Sequence, residues 1–195
     1  MSLRRGAASA HCRYNRLMPS NIEIKARVWD FEALRDRAAA LSDTPCEVIP
    51  QVDTFFVTPR GRLKLRELQG ALAQLIYYER NNQGGPKRSD YHIFHTPDPE
   101  GLKQTLALAY GIRGEVRKTR YLYLAGQTRI HVDEVQGLGG FMELEVVLEE
   151  GQAEVEGERI ARDLMQRLGI AASDLLEGAY MDMLEQGRPQ GSSLP

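Results

Sequence analysis

The stretch TRIHVDEVQGLGGFMELEVVL, Thr128 to Leu148, decides how the rest of the chain reads. With a period of two, Ile130 and Val132 fall on one face and Arg129, His131 and Asp133 on the other. Past the glycine-rich turn, Met142, Leu144, Val146 and Leu148 share a face, and Glu143 and Glu145 share the opposite one. Such alternation marks strands with one apolar and one polar side. The polar side here is almost wholly ionisable. NIEIKARVW (Asn21–Trp29) repeats the split: Ile22, Ile24, Ala26 and Val28 oppose Asn21, Glu23, Lys25 and Arg27. GRLKLRELQGALAQLIYYER predicts a hairpin turning near Gln69 and Gly70. Its Arg62, Lys64 and Arg66 share one face, and Leu63 and Leu65 the other.

The remaining segments fix the class. KRSDYHIFHT reads as a strand, and EVRKTRYLYLAGQTRIHVDEV as a hairpin turning at Gly126 and Gln127. EVIPQVDTFFV reads as a strand with an edge or bulge at Pro50. Asp30 caps a helix over FEALRDRAAAL; Asp98 caps, Pro99 starts and Gly111 ends a second. QAEVEGERIARDLMQRLGI predicts a third, with Ile160, Leu164 and Leu168 inward and Gly169 at its C-terminus. SDLLEGAYMDMLEQ predicts a final helix capped by Ser173 or Asp174. Short connections between strands imply antiparallel pairing, with the helices to one side: an α+β domain. About eight antiparallel strands can close into a barrel. The helices need the apolar face, so they cover the outside and the charged faces line the bore.

The 195 residues suffice for one domain, expected over residues 21–186. A net charge of -2 argues against general nucleic-acid binding. No apolar run approaches the roughly 18 residues of a membrane span. Two cysteines, Cys12 and Cys46, suggest no structural disulfide and a reducing compartment. Residues 1–20 carry Arg4, Arg5, Arg13 and Arg16 and no acid. They read as a loose extension ahead of Met18, with a cytoplasmic protein implied, or as a mitochondrial transit peptide. Residues 187–195 read as a flexible tail. P-loop, zinc-spacing and nucleophile-elbow motifs are absent.

Most alternating strands turn their polar face to water. Here the signs are sorted, which argues for a ligand. Arg62, Lys64 and Arg66 form a basic row, and Glu143 and Glu145 an acidic pair near Asp133. Like charges about 5 Å apart repel by roughly 3 kcal/mol at an effective dielectric near 20. Confined rows of this kind need counter-charges. Lys and Arg match phosphate oxygens, while clustered Glu and Asp suit Mg²⁺ or Mn²⁺. A metal-dependent site for a polyphosphate group satisfies both rows. His131 shares the acidic face but reads as a hydrogen-bonded neighbour rather than a ligand.

These residues resemble the CYTH superfamily, the triphosphate tunnel metalloenzymes, over roughly Asn21 to Leu184. The family's E-x-E-x-K falls on Asn21 to Lys25, its paired basic positions on Lys64 and Arg66, and a later K-x-R on Lys118 and Arg120. D-x-V-x-G-L-G-x-F-x-E-x-E is nearly intact from Asp133 to Glu145. The resemblance implies an eight-stranded antiparallel tunnel with helices outside. It implies Mg²⁺ or Mn²⁺ held by Glu23, Asp133, Glu143 and Glu145, and a triphosphate gripped by Lys25, Lys64, Arg66, Lys118 and Arg120. Arg62, Arg80 and Arg129 are further candidates, with Glu23, Lys25 and Glu145 closest to the chemistry. The implied reaction is hydrolysis of a linear triphosphate by metal-activated water; a class IV-type adenylate cyclase or a non-catalytic binder are alternatives. The expected partner is a small-molecule triphosphate, with no nucleic acid and no membrane, on a monomer or homodimer. Asn21 departs from the family's first glutamate, and YYER lacks its usual lysine, with Arg80 in its place.

Overall fold

The computed structural model describes residues 19–187. The expected leader up to residue 18 and the tail from residue 188 lie outside them. The alternating segments form eight strands: β1 (Ser20–Arg27), β2 (Glu47–Phe56), β3 (Arg62–Leu68), β4 (Ala73–Arg80), β5 (Lys87–Thr96), β6 (Ile112–Ala125), β7 (Thr128–Val135) and β8 (Gly139–Val147). Four helices join them: α1 (Phe31–Leu41), α2 (Pro99–Tyr110), α3 (Glu154–Arg167) and α4 (Tyr180–Gln186). The strand order β1-β5-β4-β3-β2-β6-β7-β8 closes on itself through antiparallel pairing of β8 with β1. Closure leaves no free sheet edge and forces one face of every strand inward.

The apolar faces point outward and the helices cover them, as the alternation requires. Ile22, Ile24, Ile130, Val132, Met142 and Leu144 are buried beneath Leu34 and Ala38 of α1 and Ala161, Leu164 and Leu168 of α3. Each large side chain so buried contributes about 1.5–3 kcal/mol. Gly157 lets α3 lie close to β1: a Cβ there would meet Ile22 Cγ1 at 2.7 Å and Leu148 Cδ2 at 2.6 Å. Leu102 and Leu106 of α2 cover Phe56, Leu65 and Ala73. The caps form as expected, with Asp30 accepting from the Ala33 N–H at 3.0 Å and Asp98 from the Gly101 N–H at 2.9 Å. Among the described residues no helix is long and apolar enough to cross a membrane.

Two details differ from expectation. β2 runs unbroken through Pro50, and its bulge lies at Phe55 and Phe56. Its pairing with β3 begins only at Gln51, so Pro50 does sit at a local edge, unpaired on one side, as expected; only the bulge lies elsewhere. The expected last helix is divided. A 3-10 turn at Ala172–Asp174 is followed by an extended stretch before α4 begins at Tyr180. Leu175 bridges Ala26, and the Leu176 N–H donates to Lys25 O at 2.9 Å. Gly178, at φ 72°, turns the chain, and Asp182 accepts from the Ala179 N–H at 2.7 Å to start α4. Strand contacts thus override helix propensity, and the segment lies across one end of the barrel.

Candidate functional site

Strand parity carries the charged residues into the barrel. Asn21, Glu23 and Lys25 of β1 point inward, as do Lys64 and Arg66 of β3, Lys118 and Arg120 of β6, and Glu143 and Glu145 of β8. They line a cavity of about 360 Å³. Seven Lys and Arg side chains face four acids there. That imbalance favours an anion of several charges. One end is closed by Tyr180 against Phe141, Phe55 and Val116, all buried. Toward the other end the lining turns to partly exposed Ile49, Leu68 and Leu122 and exposed Ile93.

The charges pair across the interior. Lys25 Nζ lies 2.8 Å from Glu143 Oε1 and 3.5 Å from the centre of the Tyr180 ring. Arg80 reaches Glu23 at 2.6 Å, and Arg129 reaches Glu145 Oε2 at 2.9 Å. Lys64 and Arg66 share Asp53, at 2.7 Å and 2.8 Å. Burial and the Arg66 guanidinium push the Lys64 ammonium down to about 8. Burial also lowers Lys25 and Lys118, against the attraction of Glu143 and Asp133 respectively. Burial works against ionising Asp53, but Arg66 and Lys64 hold it well below the usual carboxylate range. Burial likewise opposes ionisation of Glu145, yet His131 (charged only in strong acid), Arg129 and Arg120 outweigh it and bring the carboxyl to about 2. His131 is pushed down to about 3 by burial and by Arg120, so its imidazole is neutral at neutral pH.

The acids expected to hold metal do not converge as one group. Glu23 is the direct cross-strand neighbour of Glu145 in the β1–β8 register, but its carboxylate is engaged by Arg80. Asp133 is fully buried and accepts from Lys118 at 2.6 Å, from Arg120 at 2.7 Å and from the Tyr180 hydroxyl at 3.0 Å. The group that converges is His131, Glu143 and Glu145, each with a donor atom within 4.8 Å of the others. His131 Nδ1 is buried without a hydrogen-bond partner. An orphaned nitrogen beside two ionised carboxylates is a donor set that fits a divalent cation.

Arg62 is not brought to the cavity. It donates to Asp182 at 3.1 Å and to Asn82 at 2.8 Å, tying β3 to α4. Arg80 does line it, donating also to Gly178 O at 2.7 Å. Arg129 lines it, and the Asn21 amide, oriented to suit its neighbours, accepts from Arg129 at 3.3 Å. Asp53 and Tyr180 were missed from sequence. Asp53 shares inward parity with Gln51, a signal masked by Pro50 and the paired phenylalanines.

The chain is similar over 174 residues to the adenylate cyclase CyaB of Aeromonas hydrophila, at 25% identity, covering 85% of this chain and 88% of that one. Among solved structures, PH1012 of Pyrococcus horikoshii matches with a TM-score of 0.74 at 24% identity, over 83% of this chain and 98% of that one. HpAC1 of Hippeastrum, in which triphosphatase activity dominates, matches with a TM-score of 0.63 at 16% identity, over 87% and 97%. The family model for the CYTH domain matches residues 20–180, from the first residue of β1 to the first of α4. The match spans the whole barrel, and on that ground the chain belongs to the CYTH family.

Proposed function

We propose that this chain hydrolyses a linear triphosphate, inorganic or the tail of an organic ester, inside the barrel with the help of a divalent cation. The observation that carries the reading is the surplus of inward cations, seven against five acids with Asp133 counted, in a closed barrel. Lys64, Arg66, Lys118 and Arg120 come from neighbouring strands β3 and β6, on either side of β2, and form one basic wall for phosphate oxygens. Lys25 faces them from β1, where it offsets charge that develops on the transferring group. A divalent cation, when bound, supplies charge neutralisation and Lewis acidity toward the phosphates. Glu143 and Glu145 would hold it. Glu23, the cross-strand neighbour of Glu145, would accept a proton from attacking water. The apolar lining at Ile49, Leu68, Ile93 and Leu122 offers contact to an organic group.

The second reading is an adenylate cyclase, favoured by the similarity to CyaB. It would use the same phosphate grip, with a ribose hydroxyl as the attacking group and pyrophosphate leaving. Products separate the two. The protein is incubated with tripolyphosphate, thiamine triphosphate or ATP, with Mg²⁺ or Mn²⁺. Orthophosphate release without cyclic AMP is expected. Cyclic AMP and pyrophosphate from ATP would install the second reading, and no product from any substrate would leave a binding protein.

A further inference from the structure

We infer that His131 is a nitrogen ligand of the cation site, beside Glu145 and Glu143, and that the site therefore prefers a first-row transition ion such as Mn²⁺ or Co²⁺ to Mg²⁺. The inference rests on the cation-assisted reading above and specifies its metal.

His131 is 3% exposed, and its Nδ1 has no hydrogen-bond partner. A buried polar atom left unpaired costs about 1–3 kcal/mol, so it needs a physical reason. Its neighbour supplies one. Glu145 Oε1 lies 3.7 Å from Nδ1, too far for a hydrogen bond. Two donors each about 2.1 Å from one ion stand between about 3 and 4.2 Å apart, depending on the angle. The observed separation lies inside that window. The other Glu145 oxygen is held by Arg129, so the one facing His131 is free to ligate. Glu143 is paired with His131 across the β7–β8 ladder, and its carboxylate is shared with Lys25 and Arg120. All three donors stand on two adjacent strands, a rigid mounting.

The donor set has a chemical consequence. Mg²⁺ prefers an octahedron of oxygens and sheds water reluctantly, whereas imidazole nitrogen suits later first-row ions. One nitrogen among oxygens shifts preference away from Mg²⁺ without requiring thiolates.

The test uses the full chain, stripped with chelator and titrated with Mn²⁺ in the absence of phosphate. Pulsed electron paramagnetic resonance on the bound Mn²⁺ should show coupling to a directly bound ¹⁴N, replaced by ¹⁵N coupling when the protein carries ¹⁵N-histidine. In His131→Gln the coupling should vanish and Mn²⁺ affinity fall about 10-fold or more, with Mg²⁺ affinity changed much less. The wild-type spectrum decides the matter even if that variant folds poorly. Bound Mn²⁺ without nitrogen coupling, no Mn²⁺ binding, or an equal loss for both ions in His131→Gln would each overturn the inference. Calorimetry of tripolyphosphate without any cation reads the basic wall separately. If that binding persists while nitrogen coupling is absent, only the His131 inference falls; if it is lost too, the triphosphate reading falls with it.

Discussion

Asp53→Asn separates what the tunnel needs for stability from what it needs for binding. Asp53 is 2% exposed, and its carboxylate accepts from Lys64 at 2.7 Å and from Arg66 at 2.8 and 3.0 Å. Asparagine keeps the volume but removes the charge, so two cations on β3 lose their counter-ion. Removing one partner of a buried ion pair costs about 3–5 kcal/mol. The cavity is wide, so the lower figure applies. In a domain of this size each kcal/mol corresponds to about 2–4 °C of melting temperature, which puts the variant about 6–12 °C below the parent. Affinity should move the other way. A carboxylate about 6 Å from a bound phosphate repels it by roughly 3 kcal/mol at an effective dielectric near 20, so its loss tightens binding by up to about 100-fold. The folded-state pKa of Asp53 is depressed, so its stabilising contribution is present above the ordinary carboxylate range and lost only as pH falls through the lower folded value. The gap between parent and variant should therefore be flat between about pH 5 and 7, and narrow as Lys64 loses its proton near pH 8. Differential scanning fluorimetry gives the melting shift, and calorimetry with tripolyphosphate gives the affinity. A melting point within about 2 °C of the parent would show that the pairs hold no stability. Weaker tripolyphosphate binding would show that Lys64 and Arg66 do not grip the ligand.

Glu143→Gln should lower orthophosphate release about 100-fold or more while tripolyphosphate still binds, because Lys25 and Arg120 lose the charge that places them; activity within about tenfold of the parent contradicts that role. Lys64, at about 8 instead of 10.5, makes the folded chain bind protons less readily than the unfolded one between those values. Its destabilising charge is felt below pH 8 and fades as pH rises through that value, so its own contribution to stability improves with pH. A bound polyanion restores the proton. Binding near pH 8 should therefore take up a proton, read as a binding enthalpy that varies with buffer ionisation heat, and an enthalpy independent of buffer would refute it. Gly157→Ala should cost about 1–3 kcal/mol in thermal unfolding with no change in the turnover of the folded protein, since the added methyl overlaps Ile22 and Leu148. Melting unchanged from the parent would mean that α3 stands further from β1 than it does in the fold described above.

The barrel was legible because its outward residues alternate strictly. Ile22 with Ile24, and Met142 with Leu144 and Val146, leave the charged positions no face but the interior. Lys64, Arg66, Lys118, Arg120, Glu143 and Glu145 reach the cavity by that parity alone. What parity cannot supply is distance along the bore. Arg62 shares the face of Lys64, but it sits at the first residue of β3, where Asp182 takes it. Tyr180 lies 47 residues from Asp133 on an element that reads as a surface helix, and only the extended stretch before α4 brings its hydroxyl under the barrel. The nearness of His131 to Glu145 depends on cross-strand register, which alternation within one strand leaves open.

The pairings inside the tunnel also bear on why a polyanion and a cation should enter together. A phosphate that takes Arg120 must draw it from Asp133 and Glu143, and one that takes Lys25 must draw it from Glu143. Binding a polyanion alone therefore uncovers carboxylates in a buried setting, which weakens that binding without abolishing it, since Lys64 and Arg66 are not drawn from Glu143. A cation alone that takes Glu143 uncovers Lys25 and Arg120 in the same way. Entering together, the cation covers the carboxylates while the phosphates cover the released Lys and Arg side chains. Each ligand then strengthens the other by the same factor, as linkage requires. A network built only for stability would match its charges one for one and gain nothing from this exchange. Here, even with Asp133 counted beside the four acids of the cavity wall, cations outnumber acids seven to five, so the exchange would leave positive charge for a polyanion to offset.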